Sequence, residues 1–334
     1  MKHRMKIVVK DVPRPKPLQG QVLVRVRACS ICGTDLHSYR VGEEEILARV
    51  PEGRTKKTLG FYGAIGSLRG GGHQIGGDIV EKGPDTSEWS VGDRVAGVAA
   101  GGYAEYCRME RIYHLPDELT YEEGSYVEPL AVGVAAVRRS GLRLGDTAVV
   151  LGAGPIGQFT LQCAKAAGAI VIVTEVSPKR IELARLFADE VVNAGTVDAV
   201  KRIRELTGGN SPSVIFECAG RDETMKQLIE MAGEYWTPYG QQTKGVIVSL
   251  FEKPWAYDLF DNNAIFGKNL ELMGSLTYYP YRHPEDELRI AIKLMKKERV
   301  KVGPLITAKI PLDSIDKGFQ SLLTGEELGV VVQP

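Results

Sequence analysis

The chain has 334 residues, enough for two ordinary domains, and its 42 basic and 42 acidic residues give a formal net charge of zero. This balance argues against a nucleic-acid-binding protein, which needs a concentrated positive surface. No apolar run reaches the roughly 18–20 residues that cross a bilayer, and no signal-like segment follows the basic N-terminus. We therefore expect a cytoplasmic globular protein without nucleic-acid or membrane partners.

The first third of the chain has the pattern of short strands and loops. Residues 21–27 alternate apolar and polar side chains, which predicts a strand with one buried face, and further short strands are predicted at 78–81 and 93–96. Residues 38–70 form a charged insert with no clear period. Its basic residues are candidates for contact with an anionic substrate, but its acidic residues offset much of that charge, so we favour a solvated surface loop.

From residue 147 onward, strands and helices alternate. Strands are predicted at 147–151, 170–173, 190–192, 214–217 and 245–250, and helices at 158–168, 178–187, 197–206 and 223–231. Apolar strands separated by helices indicate a parallel sheet covered on both faces. A further helix is predicted at 285–297, followed by short strands and a small closing helix.

A glycine-rich turn joins the first of these strands to its helix. In the sequence GAGPIG at 152–157, Gly152 permits the tight turn, Gly154 lets the backbone approach a pyrophosphate, and Gly157 allows close helix–strand packing. Glu175 ends the next strand, where a carboxylate can accept hydrogen bonds from a ribose and repel a 2′-phosphate. This predicts NAD as the cofactor. Arg180 favours NADP instead, because an arginine there could bind a phosphate.

Possible metal ligands lie in three segments. Cys29, Cys32 and His37 share one loop, and His73 and Glu128 follow later. Three protein ligands and an open position make a catalytic zinc site. Cys29 and Cys32 could instead be a redox pair or half of a four-cysteine zinc knuckle. The chain has no second CxxC to complete a knuckle and no early βαβ unit typical of a thioredoxin-like protein.

Seven segments resemble the zinc-dependent medium-chain dehydrogenase/reductase family of alcohol dehydrogenases, especially its sorbitol and threonine dehydrogenase branch. They are ICGTDLH (31–37), GHQIGGDIVEKG (72–83), VGDRV (91–95), GGYAEY (101–106), EPLAVGVAAVRRSG (128–141), LGAGPIG (151–157) and FECAG (216–220). The resemblance implies an α/β protein with a GroES-like β-rich catalytic domain (1–127 and 277–334) and a Rossmann doubly wound parallel-sheet domain (128–276). It implies hydride transfer between NAD and a secondary alcohol of the polyol, cyclitol or amino alcohol type.

The resemblance also assigns residues. Cys32, His73 and Glu128 correspond to the catalytic zinc ligands, and Cys29 to a variable position that is not a ligand. Thr34 would contact the substrate oxygen, and His37 would end a proton relay through the ribose. For NAD binding, the residues implied are Gly152, Gly154, Ile156, Gly157, Glu175, Arg180, Ser249 and Leu250.

The sequence departs from the family pattern in two places. Gln74 stands where the family usually has a glutamate, and an amide is a poorer zinc ligand, which favours Glu128 as the third ligand. Between Val95 and Gly101 there is no lobe of four cysteines for a structural zinc. We therefore expect one catalytic zinc per subunit and no structural zinc.

Two other functions are compatible with this fold. One is a zinc-free reductase of the same superfamily, which would lack the ligand residues. The other is a non-catalytic NAD-binding protein, which would have lost Thr34 or His37. All of these residues are present, which favours the dehydrogenase, with a small alcohol or ketone as substrate. The family is usually dimeric or tetrameric, so a homo-oligomer is expected.

Overall fold

The computed structural model describes residues 6–41, 71–233, 242–250, 265, 267–277 and 286–334. The chain divides into two compact units, residues 1–128 with 302–334 and residues 129–301. The chain returns to the first unit at residue 302, later than the boundary expected at 277. Lys301 exchanges two hydrogen bonds with the Gln162 side chain, at 2.7 and 3.2 Å, which ties the end of this segment to the second unit. The insert lies, from residue 42 onward, outside the described residues.

The first unit is built on a mixed sheet of seven strands in the described residues. The strands are β1 (Val22–Ser30), β2 (Gln74–Lys82), β3 (Arg94–Val98), β4 (Tyr106–Met109), β5 (Arg111–His114), β12 (Ala308–Pro311) and β13 (Val330–Gln333). Their order is β12-β13-β1-β2-β3-β5, with β4 paired to β1. The helices are α1 (Gly33–Val41), α2 (Tyr121–Gly124) and α9 (Ile315–Thr324), with 3-10 turns at Gly303–Leu305 and Leu312–Ser314.

The strand β1 pairs with β13, β2 and β4, and its valines form part of the core together with Leu23, which is also fully buried. Val22, Val24 and Val26 are buried against Ile75 and Ile79 of β2, while Arg25 and Arg27 are exposed. Burying each valine or isoleucine side chain contributes about 1.5–3 kcal/mol. The strands predicted from the sequence at 21–27, 78–81 and 93–96 are confirmed as parts of β1, β2 and β3.

The second unit is a parallel sheet with helices between its strands. The strands are β6 (Thr147–Leu151), β7 (Ile170–Glu175), β8 (Glu190–Asn193), β9 (Val214–Glu217), β10 (Lys244–Ile247) and β11 (Glu271–Gly274). The helices are α3 (Val127–Ser140, divided after Glu128), α4 (Pro155–Ala166), α5 (Pro178–Arg185), α6 (Ala199–Leu206), α7 (Asp222–Met231) and α8 (Glu287–Lys296). α4 begins before the predicted residue 158, because Pro155 suits the first position of a helix.

The strand order β11-β10-β9-β6-β7-β8 identifies a doubly wound sheet. All neighbouring pairs are parallel, and the chain direction across the sheet reverses between β6 and β9. In such sheets ligands bind outside the carboxyl ends of the strands, at this switch point. The glycine turn follows β6 directly, so it stands at the expected place for a dinucleotide. The described helices include none long and apolar enough to cross a membrane.

Candidate active site

Strand pairing in the first unit brings Cys32 and His73 together. β1 and β2 are antiparallel, with Ser30 opposite Gln74. Cys32 follows the end of β1 and His73 immediately precedes β2, so both lie at the same end of the strand pair. Cys32 lies close enough to act electrostatically on His73, which is 5% exposed. Cys32 also directly precedes α1, and a helix N-terminus favours a negatively charged group.

The charges around His73 favour a cation at this point. Burial by itself lowers the pKa of an imidazole, but Cys32, Glu128 and Asp35 outweigh it and raise the pKa of His73 to about 10. Asp35 Oδ2 lies 3.7 Å from His73 Nδ1. Asp35 is itself 6% exposed and accepts a hydrogen bond of 2.7 Å from the Tyr103 hydroxyl. These negative charges favour a cation, either a proton or a metal ion, at His73.

Glu128, at the start of α3, is oriented by a neighbouring amide. The Gln74 Nε2 group donates a hydrogen bond of 2.8 Å to Glu128 Oε2. Among the residues the structure describes, no three His, Cys, Asp or Glu side chains are grouped closely enough to hold a metal ion as they lie. The structure thus places Cys32 and Glu128 within electrostatic reach of His73.

The donor chemistry of these residues fits zinc. A thiol, an imidazole and a carboxylate are all zinc ligands in proteins. Within the described chain, His73 Nδ1 is buried and has no hydrogen-bond partner. A zinc ion would replace the proton that the surrounding negative charges hold on His73, because metal binding displaces protons from its ligands.

Three of the other cysteines, Cys29, Cys107 and Cys163, are buried, and Cys218 is half-buried. Burial raises the pKa of Cys29 well above its usual value, with Asp35 adding to the effect. Burial also raises the pKa of Cys107 and of Cys163 to about 12, and raises that of Cys218 further. A thiolate is the form that binds a metal or takes part in disulfide exchange. These environments therefore favour Cys32 over Cys29 as a ligand.

Thr34 and His37 both lie on α1, three residues apart, and so share one face of the helix. The Thr34 hydroxyl donates a hydrogen bond to Cys32 Sγ at 3.3 Å. Because its proton points to the sulfur, the Thr34 oxygen can accept a hydrogen bond from a second group. Both side chains are half-buried.

The glycine turn of the second unit has no space for side chains at its first and last positions. Gly152 has a φ of +91°, and a Cβ there would lie 2.9 Å from Ala219 Cβ at the end of β9. A Cβ at Gly157 would lie 1.9 Å from the Gly152 carbonyl oxygen. At Gly154 the nearest atom is Arg180 Nη1, at 3.9 Å. Ile156 lies in the first turn of α4, whose N-terminus favours a phosphate.

Glu175 is buried and fixes the shape of this turn. Its Oε2 accepts a hydrogen bond of 2.7 Å from Ala153 N, and its Oε1 accepts from Val176 N and Ser177 N at 2.8 and 3.0 Å. Arg180 Nη1 lies 4.0 Å from Oε2. The carboxylate is therefore held rigidly beside the glycine turn, where an adenosine ribose is expected.

Ser249 and Leu250 follow β10 at the same carboxyl edge of the sheet. The Ser249 hydroxyl donates a hydrogen bond to Glu217 Oε2, and Leu250 is exposed. Glu217 is fully buried at the end of β9 and also accepts hydrogen bonds from Ala219 N, Gly220 N and the Thr224 hydroxyl. It thereby fixes the loop against which Gly152 packs.

Three residues at these sites received no role from the sequence, namely Ser30, Asp35 and Glu217. Asp35 lies within the segment ICGTDLH and Glu217 within FECAG, so both stood in segments that carried the family resemblance. Ser30 had no such signal, because its contact with Gln74 depends on the register of two strands that are distant in sequence.

Comparison with known families and proteins identifies both units. Residues 18–137 match the family described as alcohol dehydrogenase GroES-like domain, and residues 155–297 match zinc-binding dehydrogenase. The (R,R)-butanediol dehydrogenase of Bacillus subtilis (strain 168) is 33% identical over 98% of this chain and 96% of its own length. Human sorbitol dehydrogenase is 29% identical over 97% of this chain and 92% of its own length.

Solved structures share this fold over nearly the whole length of the chain. The crystal structure of 2R,3R-butanediol dehydrogenase from Bacillus subtilis gives a TM-score of 0.81 with 30% identity, covering 99% of this chain and 98% of that one. The structure of a zinc-binding dehydrogenase from Sinorhizobium meliloti 1021, bound to NADP, gives a TM-score of 0.77 with 25% identity. The match covers 97% of this chain and 95% of that one. The chain therefore belongs to the zinc-binding alcohol dehydrogenase family of medium-chain dehydrogenases, with a GroES-like and a Rossmann domain, and is an oxidoreductase acting on CH–OH groups.

Proposed function

We propose that the protein oxidises a secondary alcohol of a small diol or polyol, using one zinc ion held by Cys32, His73 and Glu128 and NAD held by the second unit. The observation that carries the proposal is the Cys32–His73 pair, whose surrounding negative charges favour a cation. The names of the butanediol and sorbitol relatives support the substrate class. Cyclitols and amino alcohols are further candidate substrates, because they also carry secondary alcohol groups.

The residues of the chain position and deprotonate the alcohol. When bound, zinc lowers the pKa of a coordinated hydroxyl and NAD accepts hydride. The Thr34 hydroxyl, which donates to Cys32 Sγ in this structure, takes up the proton of the alcohol as it releases its own, so that one proton passes on towards His37. His37, on the same face of α1, passes a proton to solvent. Glu175 binds the adenosine ribose and excludes a 2′-phosphate.

Replacing His37 with glutamine is expected to reduce turnover mainly at low pH, by about a hundredfold at the acidic end of the profile. The reason is that hydroxide and buffer bases can accept the proton at high pH, so the relay matters least there. The measurement is kcat against pH, with NAD binding checked by titration. His114→Gln serves as the control, because His114 is an exposed histidine whose ring packs at a tilt against Trp89. An equal loss at every pH would contradict the relay.

Replacing Glu175 with glutamine is expected to weaken the preference for NAD over NADP by roughly ten- to a hundredfold, since a charged hydrogen-bond acceptor is worth about 1.5–3 kcal/mol. The measurement is kcat/KM with each cofactor. Glu182→Gln, an exposed carboxylate on α5, the helix that follows β7, is the control and should leave the ratio unchanged. A wild-type enzyme that prefers NADP would assign the phosphate-binding role to Arg180 instead.

The test of the whole proposal is NADH formation with a panel of diols, polyols, cyclitols, amino alcohols and hydroxy acids, with and without a zinc chelator. Turnover of the diols or polyols that the chelator abolishes is the expected result. Turnover that the chelator leaves intact would favour a zinc-free reductase. Nucleotide binding without turnover of any substrate, in protein that holds zinc, would favour a non-catalytic NAD-binding protein.

We also propose one zinc ion per chain and a homo-oligomer. Support for a single zinc comes from the interval between Val95 and Gly101, which contains no cysteines. Metal analysis of the purified protein is expected to give one zinc per chain, and sedimentation a dimer or tetramer. Two zinc ions per chain would refute the single zinc site, and a monomer would refute the homo-oligomer.

A further inference from the structure

Ser30, Gln74 and Glu128 form a hydrogen-bonded chain beside the Cys32–His73 pair. Ser30 Oγ lies 2.6 Å from Gln74 Oε1, and Gln74 Nε2 lies 2.8 Å from Glu128 Oε2. Ser30 is fully buried and Gln74 is 2% exposed. Bulk water cannot replace a lost partner at these positions, so each hydrogen bond restricts the next side chain.

The chain of hydrogen bonds has one direction. A carboxylate accepts hydrogen bonds and does not donate them, so the N–H side of the Gln74 amide must face Glu128. The Oε1 atom of Gln74 then faces Ser30, whose hydroxyl donates its only proton to it. The Ser125 carbonyl oxygen, 3.0 Å from Ser30 Oγ, is the competing acceptor and lies further away.

We propose that Gln74 is a positioning residue that holds the Glu128 carboxylate for zinc and is not a ligand itself. This inference rests on the proposed zinc site. An amide side chain coordinates metal ions through its oxygen. That oxygen is engaged by Ser30, and the nitrogen is engaged by Glu128. Both polar ends of Gln74 are therefore in use.

The strand register explains why this position suits an amide. Ser30 and Gln74 are opposite each other in the β1–β2 pair, the same pair that brings Cys32 to His73. Cross-strand neighbours on one face of a sheet are close enough to interact. A glutamate at 74 would set two carboxylates against each other at the 2.8 Å contact, whereas the amide offers a donor without charge.

The experiment compares zinc affinity and the cobalt spectrum of wild type, Gln74→Leu and Ser30→Ala. Leucine has similar size but no donor for Glu128, so Gln74→Leu should bind zinc about ten- to a hundredfold more weakly, measured by chelator competition. Its cobalt-substituted form should show a changed visible absorption, and kcat should fall with little change in KM for NAD. Ser30→Ala keeps the Gln74 amide that donates to Glu128 but removes the hydrogen bond that orients it. Zinc affinity and the cobalt spectrum should therefore change in the same direction as in Gln74→Leu, by a smaller factor.

Thr86→Val is the matched control, because Thr86 is a buried hydroxyl of the same unit that donates to the Gly83 carbonyl oxygen at 2.7 Å. It should lower the melting temperature without changing zinc affinity or the cobalt spectrum. If Gln74→Leu behaves like this control, Gln74 is only structural and the inference fails. If Gln74→Leu does not fold, Ser30→Ala decides the test. Unchanged zinc affinity and an unchanged cobalt spectrum in Ser30→Ala would then overturn the inference. Wild-type protein that does not bind zinc would instead refute the proposed zinc site.

Discussion

Replacing Cys32 with alanine is expected to remove zinc and to reduce alcohol oxidation by about a thousandfold or more. The reason is that His73 and Glu128 alone leave a two-ligand site, and a catalytic metal stabilises the developing charge by several kcal/mol, each 1.36 kcal/mol being tenfold in rate. His73→Ala should have the same effect. Metal analysis and NADH formation measured on the same preparations check the expectation.

Cys29→Ala separates this prediction from the other interpretations of the CxxC pair. Cys29 is a fully buried thiol whose pKa is raised by burial, so its loss should cost stability and leave zinc content and turnover intact. A redox pair or a zinc knuckle would need both cysteines. Loss of zinc from Cys29→Ala, or full zinc and normal turnover in Cys32→Ala, would contradict the ligand assignment.

Replacing Gly157 with alanine is expected to destabilise the second unit and abolish NAD binding while zinc is retained. The added Cβ would lie 1.9 Å from the Gly152 carbonyl oxygen, and a backbone atom cannot move aside cheaply. Overpacking of this kind costs about 3 kcal/mol or more, which corresponds to a decrease in melting temperature of roughly 6–12 °C. Thermal unfolding, NADH fluorescence titration and metal analysis measure the three effects.

Gly154→Ala is the matched variant for the same turn. A Cβ there meets only Arg180 Nη1, at 3.9 Å, so the melting temperature should stay near that of wild type. NAD binding should still weaken, because the methyl group occupies the space through which the backbone approaches the pyrophosphate. Unchanged NAD affinity in Gly154→Ala would show that the dinucleotide does not bind at this turn.

The sequence by itself determined the elements and the family. Alternation at 21–27 specifies a strand with one buried face, and GAGPIG between a strand and a helix specifies the turn of a dinucleotide-binding fold. Both signals are local, because side-chain direction in a strand and backbone freedom in a turn depend on neighbouring residues. The order of the motifs along the chain was enough to identify a medium-chain dehydrogenase.

Only the tertiary structure decided which side chains meet. Ser30 and Gln74 are 44 residues apart, and their hydrogen bond exists because β1 and β2 pair in one register. The Asp35 carboxylate beside His73 and the hydrogen bond from Ala153 N to Glu175 likewise depend on how separate segments pack. The helix Glu287–Lys296 lies in the second unit for the same reason. Local sequence carries periodicity and motifs, whereas strand register and packing are set by the free energy of the whole fold.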